Sequence, residues 1–95
     1  PYMVTQKVTS GGLRNEEGDQ IERSYFRVSE ELMDESTGKV AHTDFTPVQE
    51  GETTLFHSDK QGSPATFKVY YQLQPYPAME AGNYTTGIVF SLEEL

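Results

Sequence analysis

The sequence contains no cysteine and no tryptophan among its 95 residues. Without cysteine, neither a disulfide framework nor a thiolate metal site can form. Only 35% of the residues are hydrophobic, even with tyrosine counted. The core of this single small domain must therefore be thin, and phenylalanine and tyrosine must supply much of its buried area. Lack of cysteine fits an exported protein that avoids oxidation. Many cytosolic domains also lack it, but we favour export.

Positive charge is scarce as well. The chain has 7 lysine and arginine residues against 15 aspartate and glutamate residues, a formal net charge of −8. A surface of this sign repels phosphate backbones and anionic lipid headgroups, and no apolar run approaches the length of a membrane span. We therefore expect that neither nucleic acid nor a membrane surface is a partner of this chain and that it does not insert into a membrane.

The sequence also lacks a recognisable catalytic or metal-binding constellation. His42 and His57 each stand two positions before an aspartate, Asp44 and Asp59, which on a strand places both side chains on one face. No cysteine and no Gly-x-Ser-x-Gly serine accompanies them as a nucleophile, and a zinc site would require the two histidine strands to be neighbours. We expect no enzyme activity, no metal and no other cofactor; a histidine-based enzyme or metal protein is the rival interpretation.

The clearest pattern in the chain runs from Phe67 to Leu95. Apolar side chains recur at every second position from Phe67 to Leu73, which is typical of a strand buried on one face. Beyond the Pro/Gly segment 75–83 the alternation returns, at Tyr84, Thr86, Ile88, Phe90 and Leu92. This pair of strands is one about which a β-sandwich can be built.

The remaining segments predict further strands at residues 2–8, 21–29, 40–45 and 52–58, each bounded by turn residues. Residues 29–35 allow two interpretations. They either begin a short helix capped by Ser29 or lead through a turn at 35–38 into a hairpin, which we favour. The total of six or seven strands, without a long helical segment, predicts an all-β, antiparallel Ig-like β-sandwich formed by residues 1–95 as one domain.

Surface residues offer weak signals for binding. The acidic residues within 15–19 and 30–35 are typical of a solubilising surface. Tyr70 lies on the outward parity of its strand and Tyr76 lies in a Pro-rich loop. Exposed aromatic side chains can stack on a sugar ring or on a partner protein, so Tyr70 and Tyr76 are the candidate ligand-binding residues, although single exposed tyrosines are common on sheets.

Two stretches carry a resemblance to a known family. Residues 62–73 (GSPATFKVYYQL) and 81–90 (AGNYTTGIVF) resemble the closing pair of strands in bacterial surface Ig-like domains. They are also similar to the C-terminal end of spore-coat-U-like pilus subunits assembled by chaperone and usher, where an Ala-Gly-x-Tyr turn leads into the last strand. The resemblance implies a structural or adhesive role outside the cell or at the bacterial cell surface, with other copies of the chain or other surface proteins as partners.

In such domains a further segment normally precedes the first strand, so the resemblance leads us to expect either a trimmed chain or a sandwich short of one strand. An unpaired edge with an open groove can be filled by a strand from a neighbouring subunit, and head-to-tail donation builds a filament. We predict that residues 2–8 are the donor, with Tyr2, Val4 and Val8 filling pockets, and that the strand at 84–92 borders the groove. The alternative is a self-contained extracellular domain that binds a glycan or a protein through Tyr70 and Tyr76.

Overall fold

The computed structural model describes residues 1–9 and 12–95. Its strands are β1 (Tyr2–Val8), β2 (Phe26–Met33), β3 (Lys39–Val40), β4 (Thr46–Pro47), β5 (Gly51–His57), β6 (Thr66–Leu73) and β7 (Ile88–Glu94), with a short 3-10 helix at Arg23–Tyr25. All strand pairs are antiparallel. They form a four-stranded sheet in the order β3-β5-β1-β7 and a three-stranded sheet in the order β4-β2-β6, packed together. The prediction of an all-β, antiparallel β-sandwich of six or seven strands is confirmed.

The core lies between the two sheets and is thin. One cluster of buried side chains contains Val8, Ile21, Phe26, Val28 and Val48. Across the sandwich, aromatic stacking joins the sheets, since the ring centroids of Phe56 and Phe67 are 5.0 Å apart. The sandwich measures 47 × 21 × 16 Å, with a radius of gyration of 15.0 Å against about 12 Å for a compact domain of this length. The sandwich is therefore elongated rather than compact.

The segment after β2 corrects one prediction. β2 continues as a strand to Met33, and the turn follows at Asp34 and Glu35, whose φ angles are 53° and 58°. The strand interpretation is therefore right and the helix interpretation wrong, but β3 pairs with β5 of the other sheet and does not form a hairpin with β2. Both sides of β2 are occupied, by β6 and by β4. The chain therefore passes from the three-stranded sheet, which contains β2, to the four-stranded sheet, which contains β3.

Three predicted strands have different bounds in the structure. The strand predicted at 40–45 is limited to β3, Lys39–Val40. The second strand begins at Phe26, directly after the 3-10 helix. Ile21, which was predicted to start this strand, is buried in the core ahead of that helix. The last strand begins at Ile88, because the peptide groups of Arg14 and Thr85 bond each other in an isolated bridge. An alternating pattern continues through both segments, but the hydrogen-bond partners there lie outside the ladders.

The loop between β5 and β6 is held by Asp59. The Ser63 amide donates to Asp59 Oδ1 at 2.9 Å, and the Thr37 hydroxyl donates to Oδ2 at 2.6 Å. These hydrogen bonds lower the pKa of Asp59 from 3.8 to about 2, and the bond from the Ser63 amide has the largest effect. Because the pKa is lowered in the folded state, this contribution to stability is present above pH 3.8 and is lost as the pH falls towards 2.

Gly38, in the crossing between the sheets, lies directly against the core. Its φ is 111°, and a Cβ at this position would contact the Phe56 ring and come within 2.7 Å of the His57 carbonyl oxygen. Gly18 has a similar φ of 87°, but a Cβ there would meet nothing within 4 Å. Gly38 is therefore required both by its backbone conformation and by the space that Phe56 occupies.

The Gly38→Ala substitution is expected to lower the free energy of unfolding by about 2 to 4 kcal/mol, because strain at positive φ adds to overpacking against Phe56. The matched control Gly18→Ala carries only the backbone strain and should cost about 1 kcal/mol. Urea denaturation of the two variants measures both values. Equal losses would show that the contact with Phe56 contributes nothing.

Candidate functional site

The two sheets differ by one strand, which leaves one side of the sandwich open. β6, the last strand of the three-stranded sheet, lies over β5 and β1, where Phe67 stacks on Phe56 and the Tyr71 hydroxyl donates to Gln6 Oε1 at 2.6 Å. β7 lies beyond β1 at the edge of the larger sheet, and no strand of the described residues faces it. We call this strand-sized space, beside β6 and opposite β7, the open edge.

Apolar side chains of the inner faces are uncovered at the open edge. On β6, Tyr71 is 37% exposed and Leu73 45%. On β7, Phe90 is 54% exposed and Leu92 65%, although both share the inward parity of Val8 and its β7 partner Ile88. A facing strand would cover such residues in a sandwich of equal sheets. Their exposure is therefore the direct result of the unequal strand numbers.

The backbone of β6 is also free at the open edge. Next to the β2–β6 ladder, the Gln74 amide donates to the Tyr25 carbonyl at 2.9 Å. Backbone groups of an antiparallel ladder alternate between its two sides, so the even-numbered residues of β6 bond β2. The peptide groups of the odd-numbered residues, from Phe67 to Leu73, point away from β2. The open edge thus combines unpaired backbone groups with apolar side chains, which is the template for an added strand.

Gln6 lies between the two strands that border the open edge. It is only 1% exposed, it stands opposite Phe90 in the β1–β7 ladder, and its Oε1 accepts the hydrogen bond from Tyr71. Its Nε2 is buried and has no hydrogen-bond partner among residues 1–9 and 12–95. A buried unsatisfied amide costs about 1 to 3 kcal/mol, so an acceptor brought to this position would be stabilising.

The predicted donor residues lie inside the sheet of their own chain. β1 pairs with β5 on one side and β7 on the other, and Val4 stands opposite Phe56 and Leu92. Val8 belongs to the buried core, and the Tyr2 hydroxyl donates to the carbonyl oxygen of the β5–β6 loop at Ser63. Donation of β1 to a neighbour would require it to leave both ladders. The role of Tyr2, Val4 and Val8 as donor residues stays a prediction.

The two candidate tyrosines are not brought together. Tyr76 is half-buried and stacks on Tyr25, with ring centroids 4.4 Å apart. Tyr70 stands opposite Ser29 in the β2–β6 ladder, and its exposed hydroxyl donates to Glu31 Oε1 at 3.1 Å. Partial burial and the hydrogen bond to Glu31 raise the pKa of Tyr70. Tyr70 and Tyr76 therefore do not form one binding platform, and each stays a separate candidate.

A buried carboxylate was missed by the sequence prediction. Glu30, assigned above to a solvated acidic patch, is 3% exposed. Its two oxygens lie 3.0 and 2.9 Å from His42 Nδ1, and the His42 amide donates to Oε1 at 2.9 Å. The sequence does contain a signal for this burial. Glu30 lies two and four positions after Val28 and Phe26, so all three side chains share one face of β2. This pair also shows that the carboxylate against His42 is Glu30 and not Asp44.

The described residues do not provide a metal site. Within residues 1–9 and 12–95, no group of three or more histidine, cysteine, aspartate and glutamate side chains could hold a metal ion. His57 is exposed at the end of β5, opposite Met3 and Lys39 in the ladders. The same residues include no helix with the length and apolar character needed to cross a bilayer.

Comparison with known proteins gave no match to a family model, to a curated protein or to a solved structure. The resemblance to spore-coat-U-like pilus subunits therefore stays a prediction, and the functional argument depends on the geometry of this chain.

Replacing His42 with alanine tests the buried pair. The His42→Ala substitution is expected to lower the free energy of unfolding by about 2 to 4 kcal/mol, because it leaves the Glu30 carboxylate buried without its side-chain partner. His57→Ala removes the same side chain at an exposed position and should change stability by no more than about 0.5 kcal/mol. Thermal and urea denaturation measure the difference, and similar values for both variants would contradict the structural role of His42.

Proposed function

We propose that this domain is a structural or adhesive module of a bacterial cell-surface protein or filament, and that its open edge receives a β-strand from a neighbouring chain. The observation that supports this function best is the exposure of Phe90 and Leu92 on the inner face of β7. These side chains are positioned for a sandwich core, and the chain itself supplies no strand in its described residues to cover them.

Strand addition would pair the backbone groups of β6 and cover the apolar side chains at the open edge. The incoming backbone would bond the unpaired peptide groups of β6, and every second side chain would point inward against Phe90 and Leu92. Burial of the exposed apolar surface contributes about 25 cal/mol per Å². An inward-pointing side-chain oxygen of the added strand would accept a hydrogen bond from Gln6 Nε2, whereas the backbone carbonyls of that strand lie in the plane of its own sheet. Backbone pairing gives affinity, and the apolar side chains give the register.

Charge favours a donor without acidic residues. The domain carries a formal net charge of −8, and β7 ends with Glu93 and Glu94, so an acidic strand would be repelled. The segment Tyr2–Val8 has one cation, Lys7, and no acidic residue, and its apolar side chains share one parity except for Met3. It meets the chemical requirements of a donor, but to reach the open edge of a neighbour it must leave both ladders of its own sheet.

The alternative function is a self-contained extracellular domain that binds a glycan or a protein. The exposed ring of Tyr70 favours this interpretation, because aromatic faces stack on sugars and on protein side chains. Such a domain would stay monomeric at all concentrations and would gain stability only when its ligand is present.

Two neighbouring residues of β7 provide a matched test of strand addition. Phe90 faces inward and is 54% exposed, whereas Val89 faces outward and is 51% exposed. In a concentration series measured by light scattering, with electron microscopy of the same samples, we expect the unmodified chain to associate and Phe90→Lys to stay monomeric. A charge at residue 90 would be buried under the added strand, which is costly. Val89→Lys should associate like the unmodified chain.

Two results would contradict the proposal. A monomeric unmodified chain at every concentration would show that the sandwich is sufficient by itself and would favour the ligand-binding alternative. Equal loss of association in Phe90→Lys and Val89→Lys would show that added charge, rather than occupation of the open edge, controls assembly.

A synthetic peptide of residues 1–9 tests the donor without altering the fold of the domain. NMR titration of the domain with this peptide is expected to shift the amide signals of β6, because the peptide adds along the unpaired edge. The peptide variant Val4→Asp places a charge against the apolar face and should bind at least tenfold more weakly, a difference of about 1.4 kcal/mol or more. Equal binding of both peptides, or no binding, would reject Tyr2, Val4 and Val8 as donor residues.

A further inference from the structure

A cavity of about 540 Å³ lies on β2, on the side of the sandwich away from the open edge. It forms because β4 pairs only with Arg27 and Val28, so no strand of the part of the chain that the structure describes adjoins the edge of β2 beyond these residues. Residues 41–45 pass across this edge, and the Glu30 amide donates to the His42 carbonyl oxygen at 2.8 Å. We call this space the β2 cavity.

The lining of the β2 cavity combines apolar surface with one accessible carboxylate. Its side chains include Glu31, Leu32, Val40, Thr43, Phe45 and Tyr70, and none of its described lining residues is a lysine or arginine. Phe45 and Tyr70 are exposed. Glu31 is exposed at the rim, where it accepts the hydrogen bond from Tyr70, whereas the Glu30 carboxylate is already bonded to His42. Glu31 is therefore the charged group available to a ligand.

We propose that the β2 cavity binds a lysine or arginine side chain of a partner protein. The aliphatic stem of such a side chain packs on apolar surface like that of Leu32 and Val40. Its charged end reaches the Glu31 carboxylate in a charge-assisted hydrogen bond, and the exposed ring of Tyr70 adds a favourable surface for a cation. The net charge of −8 attracts basic segments of a partner and repels acidic ones.

Lys68 is the competing cation within the chain. It stands directly opposite Glu31 in the β2–β6 ladder, yet among the described residues its ammonium group forms no salt bridge within 4.0 Å of the Glu31 carboxylate. The Glu31 carboxylate is thus accessible to an external cation, while the long Lys68 side chain is near enough to compete. Removal of Lys68 should therefore strengthen binding.

The test uses the whole 95-residue chain and blocked single amino acids as probes. NMR titrations with N-acetyl-lysine methylamide and N-acetyl-arginine methylamide are expected to shift the amide signals of Glu31, Thr43 and Tyr70 and to reach saturation. The neutral N-acetyl-norleucine methylamide has the same aliphatic stem and should bind about tenfold more weakly. Methylammonium chloride, which carries the charge without the stem, should also bind more weakly than the lysine probe.

Variants then assign the contribution of each group. Glu31→Gln keeps an acceptor for Tyr70 and should weaken the lysine probe about tenfold, whereas the control Glu94→Gln makes the same charge change on β7 and should leave binding unchanged. Tyr70→Leu should weaken binding about threefold through loss of the ring, and Tyr70→Phe should have a smaller effect. Lys68→Met should tighten binding.

Several results would overturn the proposal. Equal affinity for the lysine and norleucine probes would make the cavity a purely apolar site. Equal affinity for methylammonium would indicate a site for small free amines. Unchanged binding in Glu31→Gln, absence of saturation, or shifts confined to the acidic loop at 15–19 would show that lysine does not bind in the β2 cavity.

Discussion

The central position of β1 is the constraint on which the rest of the structure depends. Among the described residues, β1 is the only strand that joins β7 to the sheet, and Val4 stands between Phe56 and Leu92 in the two ladders. Any loss of β1 would therefore detach β7 and expose the core beneath β5. This is why an exchange of β1 between chains would have to be reciprocal or compensated, since a subunit that only donates would lose the centre of its larger sheet.

A small supply of apolar residues explains the polar groups in the interior. A sandwich with few hydrophobic side chains places Gln6 and Glu30 on inward positions, and each must be satisfied by hydrogen bonds. Glu30 meets this requirement through the ring and the amide of His42. Gln6 meets half of it through Tyr71, and its Nε2 has no partner among the described residues. Of these two inward groups, the incompletely satisfied one lies next to the open edge, where the sandwich itself is incomplete.

The open edge and the β2 cavity lie on different sides of the sandwich and offer different chemistry. The first presents peptide groups and apolar side chains, and so suits an extended strand of alternating pattern. The second presents one carboxylate above an apolar floor, and so suits a single basic side chain. A module with two such surfaces can contact two neighbours at once, which is what a repeating unit of a surface assembly requires.

The sequence by itself determined the all-β class and the faces of β6. The alternation from Phe67 to Leu73 predicted the inward residues, of which Phe67 contacts Phe56 and Tyr71 contacts Gln6. The sequence also contained a signal for Glu30 that the prediction did not use, because Glu30 shares its face of β2 with the inward residue Val28. Local patterns of this kind are readable because the side-chain period of a strand is two.

Only the tertiary structure decided which sheet each strand joins and which of its faces another strand covers. The two-residue period of a strand shows which side chains share a face. It does not show which sheet the strand joins or whether another strand covers that face. The pairing of β3 with β5, the exposure of Phe90 and Leu92, and the contact between Glu30 and His42 all depend on residues distant in the chain. The open edge and the β2 cavity both arise where one sheet ends before the other, because the number of strands in each sheet is set by long-range pairing.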